Sequence, residues 1–133
     1  MSTHPFEKEF DRVIDAFERS HAEAKRKFVE AAGVRPADAI RHCGEAVVRE
    51  ERALSALRYA RKFVAREGSE HQAHVAALLC VTSELRSSVL FEAAGSGTTG
   101  EFANGVDRAE LRGLVAAVRA LETLIRHESV AVG

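Results

Sequence analysis

Histidine offers this chain its readiest chemistry, and three of its six histidines are spaced to meet. His71 and His74 stand three residues apart, so on a helix they project from one side. His127 lies where a returning helix ends, and Glu67, Glu70 and Glu128 fall near the same level. Imidazoles gathered at one end of a helical stack make a ligand set for zinc or copper. His21 is the other candidate, because it interrupts an apolar stripe one turn from the level of Glu50. A buried His21–Glu50 pair is expected to fix helix register, with general-base work or a pH switch as its chemical alternative.

The remaining reactive groups point to less. Cys43 and Cys80 lack metal-ligand spacing, and in a folded-back helical stack they fall about 20 Å apart, beyond any disulfide. They are expected as free thiols in a packed interior, as suits a reducing cytoplasm. Basic residues gather near one turn: Lys25, Arg26, Lys27, Arg35 and Arg41, with Arg108 and Arg112 at a similar height. A phosphate-bearing partner is one reading of that cluster, and a solvated charged face is the other. No Gly-x-x-x-x-Gly-Lys-Ser/Thr loop is present, so the nucleotide P-loop is excluded. Arg66 and His71 have an arginine-x4-histidine spacing similar to that of helical HEPN ribonucleases. The likeness covers six residues, and Glu67 stands where that family carries Asn, Asp or His. Its activity is therefore not carried over, and a small nuclease or hydrolase is only a third reading.

The elements that position these groups are helices. Phe6, Phe10, Ile14, Phe17, His21, Ala24 and Phe28 recur every three or four residues, an amphipathic helix over 5–32 closed by Gly33 as a left-handed cap. A second helix is predicted over 36–67, with Ile40, Cys43, Val47, Glu50, Leu54, Leu57, Arg61 and Val64 inward. Ser69 and Gln72 form a capping box that opens a third helix over 70–94. Its middle, Val75 to Val81, is apolar nearly all round and is expected to lie deepest. Loop 95–106 follows, then a fourth helix over 107–128 opened by Asp107 and Glu110, with Leu111, Leu114, Val118, Leu121 and Ile125 inward. Short connections demand antiparallel neighbours. The expected fold is one all-α domain over 1–133, an up-and-down four-helix bundle with two longer N-terminal helices. A second helix running on through Gly68 into the third is the rival topology.

Composition agrees. The chain of 133 residues is 46% hydrophobic and 29% charged, has two prolines, and carries a net charge of −1. That balance gives no drive toward nucleic acid or an anionic membrane, and the apolar run Val75 to Val81 is too short to span a bilayer. With unequal helices, Phe28, Val29, Ala31, Ala37 and Ile40 overhang, to be covered by a second copy, by a partner protein or by Phe102 from the loop. The functional expectation is a non-enzymatic, cytoplasmic interaction module that forms a dimer or grips another protein. A metal-binding bundle is the alternative.

Overall fold

The computed structural model describes residues 5–34, 36–66, 70–98 and 105–132. They form four helices: α1 (Pro5–Val34), α2 (Ala37–Ala65), α3 (His71–Thr98) and α4 (Gly105–Val132). Pro5 opens α1. Pro36 caps α2 from outside, its carbonyl accepting the Ile40 N–H at 3.1 Å. Asp107 sits within the first turn of α4 instead of opening it.

Contacts across the bundle fix its direction. Arg61 near the end of α2 bonds Asp11 near the start of α1 at 3.0 Å, and the Phe28 ring of α1 lies over Gly44 of α2. Tyr59 reaches Glu84 at 3.0 Å, and Arg52 reaches Glu92 at 3.2 Å, so α3 reverses on α2. Arg86–Glu122 at 3.2 Å and His71–Glu128 at 3.1 Å reverse α4 on α3. The bundle is up-and-down and antiparallel, and the continuous α2–α3 rod is not formed.

Other expectations about the helices change too. Helix α3 continues through Gly95 to Thr98, because an interior glycine costs only about 1 kcal/mol relative to alanine. The four helices have 30, 29, 28 and 28 residues, so the N-terminal pair is longer by no more than two residues. Gly33 lies inside α1 with no left-handed φ and open space around it.

The packing is lopsided. Helix α2 rests extensively on α1 and on α4, its diagonal partner, whereas α1 and α4 scarcely touch. Gly113 explains the diagonal: a Cβ built there would overlap the Arg49 carbonyl oxygen and come within 3.0 Å of the Arg52 Cβ. Buried Ala109 and Ala117 continue that seam at four-residue spacing on α4, and Ala53, Ala56 and Ala60 supply small side chains on α2. Small residues along facing ridges let helix axes close together.

The core, with Phe10, Leu57, Val64, Leu78, Val81, Leu114 and Leu121 fully buried, lies toward the end where α1 and α3 begin. Helix α3 is not buried all round: Leu78 and Val81 face in, while Leu79 and Cys80 face out.

Gly113→Ala therefore tests the diagonal. It adds helix propensity of up to about 1 kcal/mol but drives a methyl into backbone, an overpacking cost of about 1–3 kcal/mol or more. Thermal and urea melts should show Gly113→Ala destabilised and Gly33→Ala unchanged or stabilised.

Candidate functional site

The α1 and α3 starts share one end of the bundle with the α2 and α4 ends, and the histidines gather there as the helix order requires. They do not converge. His71 Nε2 lies 3.1 Å from Glu128, and His74 is buried with its Nε2 3.9 Å from Glu7. His127 is exposed. Among the described residues no group of three His, Cys, Asp or Glu side chains is set to hold a metal ion. The two α3 imidazoles each turn to a carboxylate on a different helix, which uses them as ties between elements. His71 in that role leaves the six-residue likeness to a nuclease without a free imidazole, and Arg66 caps the end of α2.

The His21–Glu50 pair is not made. His21 Nε2 is enclosed without a hydrogen-bond partner, while Glu50 accepts from Arg49 at 3.4 Å. A neighbouring guanidinium is a stronger, charge-assisted donor than a neutral imidazole. Glu18 and His21 also form the chain's one Glu-x-x-His spacing, a signal the sequence reading passed over. Glu18 pairs with Arg58 at 3.6 Å, and carboxylate metal cores require that spacing on two helices.

The expected overhang is partly closed. Ala31 is buried and Ile40 half-buried, and the Phe28 ring, 37% exposed, packs over Gly44. Val29 remains 71% exposed. Helices of nearly equal length leave α1 and α2 no bare extension, and the hydrogen side chain of Gly44 admits the ring. Phe102 lies outside the described residues.

Two surfaces appear instead. The first is the outward face of α3, where Leu79, Leu90 and Phe91 are 50%, 72% and 81% exposed. Beside it an apolar groove of about 230 Å³ runs between α3 and α4, walled by Val89, Leu90, Val115 and Val118 and rimmed by Arg86, Arg119 and Glu122. Tyr59 of α2 donates to Glu84 of α3, a hydrogen bond that raises the phenol pKa. His71–Ala94 is also the one stretch among the described residues long and apolar enough, by length and composition, to cross a membrane. Its lack of amphipathicity was readable in the sequence; which side the bundle leaves open was not.

The second surface is a cleft of about 140 Å³ between α2 and α4, lined by His42, Glu45, Arg49, Arg108 and Arg112. Lys25, Arg26, Lys27 and Arg41 of the basic cluster form a solvated face, with Arg26 bound to Glu23 and Glu30 and Arg41 paired with Asp38, while Arg35 lies outside the described residues. The Arg26 hydrogen bond holds the Glu23 carboxyl below its ordinary pKa. Cys43 and Cys80 are both free, but Cys80 is exposed and not in the interior.

No family model, curated protein or solved structure matches the chain.

His74 is thus read as a buried tie. His74→Ala should lower stability by about 1–3 kcal/mol, the cost of removing a buried polar partner. Equimolar zinc should leave the thermal midpoint of both proteins unchanged. A zinc-dependent rise that His74→Ala abolishes would restore the metal reading.

Proposed function

We propose that the chain is a non-enzymatic interaction module that self-associates through the outward face of α3. One observation carries this reading: a helix apolar on nearly all sides is covered on one side only. Such helices are normally buried all round, and only about a third of the apolar window of α3 is buried. The exposed positions Ala76, Cys80, Ser83, Ser87, Leu90 and Ala94 follow an alternating four–three spacing, the repeat on which a second helix packs. None is charged. Glu84 and Arg86 flank the stripe, and each is already held within its own bundle, by Tyr59 and Glu122. Docking therefore need not strip a free charge of water.

A second copy of the chain is the occupant that best fits the pattern. About Leu85 the stripe reads nearly the same in both directions: Ser83 with Ser87, Cys80 with Leu90, Leu79 with Phe91, Ala76 with Ala94. Two antiparallel α3 helices related by a two-fold axis bring Leu79 and Cys80 of each copy to the level of Leu90 and Phe91 of the other. Serines at the crossing permit close approach, and closed two-fold pairing is the commonest symmetry of oligomers. Burying Leu79, Leu90 and Phe91 from both copies yields on the order of 10 kcal/mol. That is comparable with the ~4–15 kcal/mol cost of association, so a reversible dimer is expected and not an obligate one. Free thiols on such a face fit a reducing cytoplasm.

Sedimentation velocity across the micromolar range tests the reading. The wild type should pass reversibly from monomer to dimer, the Leu90→Asp/Phe91→Asp double variant should stay monomeric, and Phe28→Asp should still dimerise. A wild type monomeric throughout, or a dimer indifferent to positions 90 and 91, contradicts it. A monomer that instead co-sediments with lipid vesicles through Leu90 and Phe91 gives the face to a membrane.

A further inference from the structure

We infer that the cleft between the N-terminal halves of α2 and α4 binds a small, multiply charged anion of the phosphate class. The site shares no residue with the α3 face and stands apart from self-association. Its walls carry three guanidinium groups, Arg49, Arg108 and Arg112, with the His42 imidazole, around a space of about 140 Å³. Glu45 is the one carboxylate among the lining residues, and it lies 3.9 Å from His42.

Of the neighbouring acids, Glu110 pairs with Arg52 at 3.7 Å and Asp38 with Arg41 at 3.4 Å, both partners outside the cleft lining. Glu50 pairs with Arg49 at 3.4 Å and offsets part of that guanidinium's charge. The Arg108 and Arg112 side chains form no hydrogen bond or ion pair with the described residues, in contrast to Arg52 and Arg61, which each engage two acids on other helices.

The packing forces this juxtaposition. Gly113 seats α4 on the Arg49 carbonyl, so Arg112, its sequence neighbour, and Arg108, one turn earlier, come down beside the Arg49 side chain. Because α2 and α4 run in the same direction, their partly positive N-terminal ends lie at the same end of the bundle. Like charges drawn together repel, and an anion between them reverses the sign of that interaction.

The ligand class follows from size and donor geometry. Arginine's planar fork matches two phosphate oxygens at once. At about 140 Å³ the cleft falls below the ~300–1,000 Å³ of pockets that enclose whole small molecules. It therefore holds a phosphate or diphosphate group and leaves any larger substituent outside.

Isothermal titration of the full chain with inorganic phosphate, pyrophosphate and a nucleoside diphosphate, against chloride at matched ionic strength, tests the site. Pyrophosphate should bind more tightly than phosphate. Arg108→Gln/Arg112→Gln should weaken it at least tenfold, with the helical circular dichroism unchanged. Arg119→Gln/Arg126→Gln, which removes equal charge from exposed positions elsewhere on α4, should leave binding intact. Equal affinity for pyrophosphate and the nucleoside diphosphate assigns a phosphate head group whose substituent stays in solvent; retention of pyrophosphate alone assigns a free anion. No binding of any of the three, or the same loss in both double variants, overturns the site.

Discussion

The backbone of α4 lies against that of α2 where Gly113 meets the Arg49 carbonyl, and the rest of the arrangement answers to that contact. In an evenly spaced bundle the diagonal helices stand apart and the core fills the centre. Here the diagonal is closed by glycine and alanine, so α1 and α3 are carried to the outside of a tight α2–α4 pair. Helix α1 settles mainly on α2, and α3 bridges α2 and α4. An outer helix can bury only its inner side, which for α3 leaves Leu79, Leu90 and Phe91 in solvent. The same contact sets Arg112 and Arg108 beside Arg49. Both proposed surfaces are thus consequences of one close approach.

Polar groups serve mainly to tie this frame. Arg52 engages Glu92 of α3 and Glu110 of α4, joining three helices from a partly buried position. His71 and His74 link α3 to α4 and α1 at the other end. Exposed pairs such as Arg26–Glu23 contribute little to stability by comparison.

The sequence made the helices and their order readable, because periodicity of apolar residues reports which stretches are helical and short connections report that they reverse. Phe10, Ile14, Leu54, Leu57, Leu114 and Leu121 were inward on that basis and are buried. The rotation of each helix about its own axis was less accessible. Helix α3 is apolar on nearly every side, so its composition gave no reason to choose Leu78 over Leu79 as the core residue. Glycine was misleading: Gly33 and Gly95 read as stops yet lie within helices, and the glycine that seats α4, Gly113, carries no periodicity signal of its own. Side-chain pairing was the least legible level. The sequence places His21 and Glu50 within a turn of one another, but proximity in height does not decide between an imidazole and the adjacent Arg49 as partner.

The central claim is that closing the α2–α4 diagonal leaves an α3 face that a second copy covers. The two native thiols report on it directly, since Cys80 lies in that face and half-buried Cys43 lies on α2. Measuring the rate at which each thiol reacts with a small aromatic disulfide, as protein concentration rises through the micromolar range, separates the outcomes. On this account Cys80 becomes progressively protected while Cys43 reacts at a constant rate. A Cys80 rate that stays the same at every concentration contradicts it.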